Sequence, residues 1–225
     1  MAFKLDDMTQ VLALTTRKGV GSLRWQKPQW IDFLPPCNHA CPAGEDIQAW
    51  LALAQAGRHA DAWRTLVENN PLPSTHGRAC YHPCESSCNR AALDAPIAIH
   101  AVERFLGDLA SDNAWTVPVA APSGKRVLIV GAGPAGLSCA WQLARRGHAV
   151  EIRDQNPNPG GMMAYGIPEY RLPRTDLQRE IARITALPGV TLRCGERVDD
   201  VARARREGGF GFRQSFFHIT LLINR

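Results

Sequence analysis

Arg126-Val-Leu-Ile-Val-Gly-Ala-Gly-Pro-Ala-Gly-Leu-Ser-Cys-Ala-Trp-Gln-Leu-Ala-Arg-Arg146 decides the fold of the second half of the chain. Val127 to Val130 form a short β-branched apolar run, which reads as a buried strand. Gly131, Gly133 and Gly136 follow at once and open a helix predicted from Ala135 to Arg146, and His148 to Arg153 is a second strand. This is a βαβ unit. In that context the first glycine permits the tight turn, the second lets a pyrophosphate approach the backbone, and the third lets helix and strand pack closely. Amides at the helix N-terminus hold the phosphates. Asp154, just past the second strand, stands where an acid accepts from a ribose hydroxyl. Gly131, Ala132, Gly133, Pro134, Ala135, Gly136 and Asp154 are therefore candidate dinucleotide contacts, and the motif alone does not separate FAD from NAD. An amphipathic helix from Arg174 to Leu187 and a third strand from Val190 to Cys194 continue the alternation.

Upstream, Trp115-Thr-Val-Pro-Val-Ala-Ala-Pro-Ser-Gly124 has little capacity for a periodic element and reads as a linker. Before it, Ile47, Trp50, Leu51 and Ala54, then Ala62, Trp63, Leu66 and Val67, recur at helical spacing. A further helix is predicted from Ile99 to Leu109 with Val102, Phe105, Leu106 and Leu109 on its apolar face. The class is multidomain, α plus α/β. A helical part covers 1–114, a linker 115–124, part of a Rossmann-type domain 125–210, and a tail 211–225.

Five of the seven cysteines, Cys37, Cys41, Cys80, Cys84 and Cys88, fall in two tight groups expected in loops between helices. Cys139 and Cys194 sit inside apolar patterns and read as core thiols. Soft thiolates select an iron–sulfur cluster or zinc, and spacing alone does not choose between them. His39, His76, His82 and His100 lie nearby, but no pair has the spacing of a zinc-finger half-site; they read as donors around a metal group. The net charge of +5 comes largely from arginines without interleaved aromatics, which argues against nucleic acid. No run of eighteen apolar residues and no leader pattern occurs, so the expectation is a cytoplasmic protein that does not enter a membrane.

Pro159-Gly-Gly-Met-Met-Ala-Tyr-Gly-Ile-Pro-Glu-Tyr-Arg-Leu172 resembles the GG-L-x-x-YGIP-x-(F/Y)-(K/R)-L signature of the glutamate synthase small subunit and its relatives. Pro36-Cys-Asn-His-Ala-Cys-Pro-Ala-Gly-Glu-Asp-Ile47, Asn70-Pro-Leu-Pro-Ser-Thr-His-Gly-Arg-Ala-Cys-Tyr-His-Pro-Cys-Glu-Ser-Ser-Cys-Asn89 and Ile97-Ala-Ile-His-Ala-Val-Glu-Arg-Phe105 are similar to the [4Fe–4S] domain of that family, which includes the N-terminal part of dihydropyrimidine dehydrogenase. The resemblance runs from about Pro35 to Phe210. It implies that the first Rossmann motif takes FAD, with Gly161, Met162 and Val198 added to the contacts, and that NADPH belongs to a later second motif absent from this sequence.

It also implies cluster ligands among Cys37, Cys41, Cys80, Cys84, Cys88 and Glu103. Two-cluster relatives carry another cysteine pair before Cys37, and Trp25 to Phe33 has none. One cluster is therefore expected, on Cys41, Cys80, Cys84 and either Glu103 or another thiol; Glu103 as a solvated helix residue paired with a base is the competing reading. The implied activity is electron transfer from NADPH through FAD and the cluster to a large glutamate synthase-type subunit or another acceptor protein. A cluster-bearing docking module and a zinc-stabilised nucleotide-binding domain are the alternatives. The tail, Gly211 to Arg225, matches nothing in the family, so a cut or shifted reading frame and an incomplete FAD site are expected.

Overall fold

The computed structural model describes residues 34–208 and the strands at 212–216 and 219–223. The first 33 residues of the expected helical domain lie outside the described residues.

Six helices build the first part: α1 (Pro36–Ala40), α2 (Ile47–Gln55), α3 (His59–Leu66), α4 (Pro73–Ala79), α5 (Pro83–Ser86) and α6 (Ile99–Asp112), with a 3-10 turn at Asn89–Ala92. Pro36, Pro73 and Pro83 open three of them, where the missing N–H costs nothing. Asp46 caps α2 by accepting the Ala49 N–H at 3.2 Å. Ile47, Trp50, Trp63, Leu66 and Leu106 are fully buried and form the centre of this core.

Two sequence expectations need correction. Cys37 lies within α1 and Cys84 within α5, while Cys41 and Cys80 cap α1 and α4, so the thiols are not all in loops. Helices of four to seven residues are too short to leave a readable period. The buried face of α6 is Ile99, Glu103, Leu106, Gly107 and Ala110, not the face through Phe105, which is 48% exposed and meets the His59 ring edge-on at 5.3 Å. The reason is α4. A Cβ on Gly107 would stand 2.3 Å from the Ser74 backbone nitrogen, and one on Gly77 would stand 2.6 Å from the Arg104 nitrogen. The two helices touch backbone to backbone, and only glycine fits such an approach. That contact rotates Glu103 inward.

The second part is a twisted sheet. β1 (Arg126–Val130) leads through α7 (Pro134–Arg145) to β2 (Ala149–Asp154), which pairs parallel with Val127 opposite Val150. After α8 (Met162–Tyr165) and α9 (Arg174–Thr185), β3 (Val190–Cys194) pairs parallel with β2, Ile152 opposite Leu192. A short helix α10 (Val201–Gly208) precedes β4 (Phe212–Phe216) and β5 (Ile219–Ile223). The strand order is β3-β2-β1-β5-β4, with β5 antiparallel to β1. The tail thus fills the place beside β1, but as a hairpin. Two residues between β4 and β5 allow only an antiparallel return; a parallel one needs a crossover of a dozen residues or more.

The two parts are bolted together by side chains. Glu180 of α9 is fully buried, and its carboxylate accepts the Ser74 and Thr75 N–H groups at the start of α4, each at 2.8 Å. Arg183 donates to Glu180 at 3.1 Å and to the Pro71 carbonyl at 3.2 Å. Arg78 of α4 is held by Asp108 of α6 and Asp176 of α9, both at 2.8 Å. Trp141 of α7 donates its indole N–H to the Val67 carbonyl at 2.9 Å. Burial raises the Glu180 carboxyl, opposed by Arg183 and the α4 amides. Removing one partner of such a buried group strands the others, so Glu180→Ala is expected to cost about 3–5 kcal/mol, and Glu180→Gln less because the amide oxygen still accepts. Urea unfolding of the three proteins checks this; equal midpoints would show that the link carries no stability.

Candidate functional site

Cys41, Cys80, Cys84 and Glu103 line one cavity of about 330 Å³, together with Glu45, Ile47, Ile99, Pro134 and Met163. Each thiol is presented differently. Cys41 caps α1 and faces the backbone N–H groups of Ala43, Gly44 and Glu45. Cys80 Sγ accepts the His82 N–H at 3.4 Å, a contact made where His82 adopts a left-handed backbone, φ 55°. Cys84 is buried in α5.

The electrostatics suit a group that carries its own positive charge. Burial pushes the Cys84 thiol up to about 12, and the charges of Glu85, Cys41 and Cys80 add to this. Cys41 is raised by burial as well, although the Glu45 amide opposes it. Backbone N–H groups pointed at buried sulfurs stabilise thiolates that water does not reach. A metal supplies the remaining charge and displaces the protons.

Glu103 is 7% exposed and accepts from Asn70 Nδ2 at 2.6 Å. Burial and the charge of Glu45 hold its carboxyl well above the usual carboxylate range. Glu45, raised by burial, accepts from the same nitrogen at 2.9 Å. The expectation of a solvated Glu103 paired with a base is overturned, because the side chain faces inward and its partner is a neutral amide. Neither Glu45 nor Asn70 was singled out from the sequence; a carboxylate on the buried face of α2's cap loop leaves no periodic signal.

Cys37 and Cys88 do not line this cavity. Cys37 Sγ lies 3.6 Å from Asn38 Oδ1. The Cys88 thiol is lowered by the N–H groups of Ile97, Arg90 and Ala91. Among the described residues, one ligand atom each from His82, Glu85 and His100 lie within 4.8 Å of one another, whereas the three cavity thiols form no such group. Three soft thiols on one cavity wall are the donor set that an iron–sulfur cluster or zinc takes. His100 Nδ1 meets Glu85 Oε1 at 2.7 Å and its ring stacks on His82 at 4.1 Å, so these histidines pair with each other and a carboxylate. His39 and His76 are not among them.

The glycine motif borders a second site, and its Pro134 also lines the thiol cavity. Gly131, Asp154 and Val198 line a cleft of about 380 Å³ beside Asn156 and Arg197. Asp154 Oδ2 accepts the Ala132 N–H at 2.6 Å and its other oxygen accepts the Asn156 N–H at 2.8 Å. The acid therefore braces the glycine turn, and a carboxylate with about four lone-pair sites keeps capacity for a hydroxyl. Gly160 donates to the Ala132 carbonyl at 2.8 Å, which lays the second glycine pair against the first. A Cβ on Gly161, at φ 51°, would stand 2.9 Å from the Gly133 Cα. By contrast, a Cβ on Gly133 meets nothing nearer than 3.9 Å, so space is open in front of it. A Cβ on Gly136 would strike the Gly131 carbonyl at 2.0 Å. Ala135 lies in the first turn of α7. Met162 is 72% exposed at the loop's edge. Cys139 packs against the core and is raised by burial, whereas Cys194 is half-buried at the end of β3 and is raised by burial and by the charge of Asp154, so the core reading fits the first and not the second.

Comparison with known proteins finds a match for each part of the chain. Residues 33–115 match the family described as dihydropyrimidine dehydrogenase domain II, 4Fe-4S cluster, and residues 129–174 match the NAD(P)-binding Rossmann-like domain. The chain thus joins a stretch that matches a 4Fe-4S cluster domain to one that matches part of a Rossmann-like domain. Over this matched length it is similar to the N-terminal part of several oxidoreductase subunits, the glutamate synthase small chain among them.

It is 41% identical over 186 residues to the NADP(+)-dependent formate dehydrogenase subunit beta of Moorella thermoacetica, covering 72% of this chain and 26% of that one. It is 40% identical over 163 residues to the NADPH-Fe(3+) oxidoreductase subunit beta of Geobacter sulfurreducens, covering 69% and 24%. With the glutamate synthase [NADPH] small chain of Mycobacterium tuberculosis it shares 36% identity over 180 residues, covering 79% and 37%. The chain thus spans about a quarter to two fifths of the length of these curated relatives. Among the described residues no helix is long and apolar enough to cross a membrane.

The thiol environments set an order of reactivity. In metal-free protein at pH about 8, iodoacetamide should label Cys88 first and Cys84 last, because the thiolate is the nucleophile. Peptide mapping of alkylated cysteines checks the order, and Cys84 labelled as fast as Cys88 would contradict it.

Proposed function

We propose that this chain carries one [4Fe–4S] cluster and the ADP-binding half of an FAD site, and serves as the electron-transfer part of an NAD(P)H-dependent oxidoreductase subunit. The observation that supports this most is the shared wall. Pro134 and Met163, next to Gly133 and Gly161, line the same cavity as Cys41, Cys80 and Cys84. A dinucleotide laid on the glycine loops is then a near neighbour of whatever the thiols hold.

In this reading Cys41, Cys80, Cys84 and Glu103 hold the cluster. Gly131 to Gly136, Asp154, Gly161, Met162 and Val198 hold FAD. Bound there, a flavin would supply the conversion of a hydride into single electrons and a cluster would supply their onward transfer. The chain's residues bind and orient these groups, and the α4 to α9 contact keeps the two sites in register. NADPH needs a second dinucleotide fold, and the sequence contains one glycine fingerprint. A large subunit of the glutamate synthase type, or another acceptor protein, takes the electrons. The relatives' names divide between formate, iron and glutamate chemistry, and in this reading it is the acceptor that differs between them.

Two measurements test this reading. Cys41→Ser and Cys84→Ser, reconstituted anaerobically with iron and sulfide, should lose the broad visible absorption and most of the bound iron, whereas Cys139→Ser should keep both. Equal iron in all three removes the ligand assignment. Gly133→Val should fold like the parent, since the protein leaves that side chain room, yet lose FAD binding, because the side chain stands where the pyrophosphate approaches the backbone. Fluorescence titration with FAD, read beside thermal unfolding, distinguishes the two effects. Unchanged FAD affinity would move the flavin elsewhere.

A further inference from the structure

Asn70 is 1% exposed and employs every polar group of its amide. Its Oδ1 accepts the Leu72 N–H at 3.1 Å, which orients the amide. Nδ2 then donates one N–H to Glu45 Oε1 and the other to Glu103 Oε1. A single neutral amide thus holds two carboxylates side by side, each 7% exposed, on the wall that carries Cys41, Cys80 and Cys84. Among the described residues no cationic side chain neutralises either. Two buried carboxyls without a basic partner stay protonated by themselves, and a cation in the cavity they face would displace those protons.

Three thiols account for three corners of a cubane, and Cys37 and Cys88 stand outside the cavity. Resting on the cluster reading above, we propose that the fourth iron is held by the Glu45 and Glu103 carboxylates as a pair, with Asn70 as the residue that positions both. The sequence resemblance points to Glu103 alone; the second oxygen donor comes from the cap loop of α2, four residues after Cys41. Carboxylate is a harder ligand than thiolate, so this iron is the exchangeable one.

The balanced step that exposes it is a one-electron oxidation. Ferricyanide takes one electron from [4Fe–4S]2+ and becomes ferrocyanide; Fe2+ leaves, the iron–carboxylate bonds break, and [3Fe–4S]+ remains on the thiolates. No proton is transferred.

The test uses the full chain, reconstituted anaerobically and followed by iron analysis and electron paramagnetic resonance. Glu45→Ala and Glu103→Ala should each retain a four-iron cluster, because the remaining carboxylate serves the corner. Each should release Fe2+ to ferricyanide faster than the parent. Glu45→Ala/Glu103→Ala should hold only the three-iron form. Asn70→Ala should weaken Fe2+ retention by about 10–100-fold, the usual loss when a group behind a metal ligand is removed.

Should the double alanine variant fail to fold, Glu45→Gln/Glu103→Gln keeps acceptors for the Asn70 N–H groups and should show the same accelerated Fe2+ loss. The pair assignment is overturned if Glu45→Ala behaves as the parent while Glu103→Ala alone gives the three-iron form, since Glu103 then acts by itself. It is also overturned if the double variant keeps four irons, which would place a thiol at the corner. A parent chain that takes up no cluster at all defeats the function proposed above, and this inference with it.

Discussion

The fully buried Glu180 carboxylate, set against the first amides of α4, is the contact on which the arrangement of both sites depends. Helix N-termini present unpaired N–H groups, and a buried one needs an acceptor. Here the acceptor comes from α9, more than a hundred residues later and in the sheet-bearing part. Arg183 and the Pro71 carbonyl complete the arrangement, so the chain entering α4 and the start of the helix are held together. Because α4 ends in Cys80, the position of a cavity thiol is referred directly to the Rossmann-like framework. The glycine turn belongs to that same framework.

The second constraint is the backbone contact of α4 with α6 through Gly77 and Gly107. Close approach turns α6 about its axis relative to its most apolar face. Phe105 is left partly exposed and Glu103 goes inside. A carboxylate is costly to bury, and the Asn70 amide offsets only part of that. The same rotation that makes α6 look badly patterned brings a carboxylate to the cavity lined by three thiols.

Around the thiols, burial and hydrogen bonding act in opposite senses. Burial favours the neutral thiol at Cys41 and Cys84, and nearby acids reinforce it. Backbone amides favour the thiolate. The balance leaves Cys41 and Cys84 holding their protons on a backbone already arranged for the charged state. At Cys88, outside the cavity and near solvent, amides prevail and the thiol is lowered. The two cysteine groups read as one constellation in sequence, yet the fold separates them into three that share a cavity and two that do not.

Sequence alone determined the local features. The β1–α7–β2 unit, its glycine spacing and the acid at Asp154 were legible because strand and helix periods are short-range and a glycine turn is a covalent necessity. The buried faces of α2 and α3 followed from spacing in the same way. What only tertiary structure decided is the content of the cavity. Glu45 and Asn70 are polar residues in a cap loop and after a helix end, where composition suggests solvent, and their burial comes from partners 25 to 33 residues away. The pairing of β5 beside β1 was also settled at this level, since the two-residue connection fixes β5 only against β4 and the antiparallel contact with β1 is a long-range one. Long-range packing places charges and sets strand directions; local periodicity carries neither.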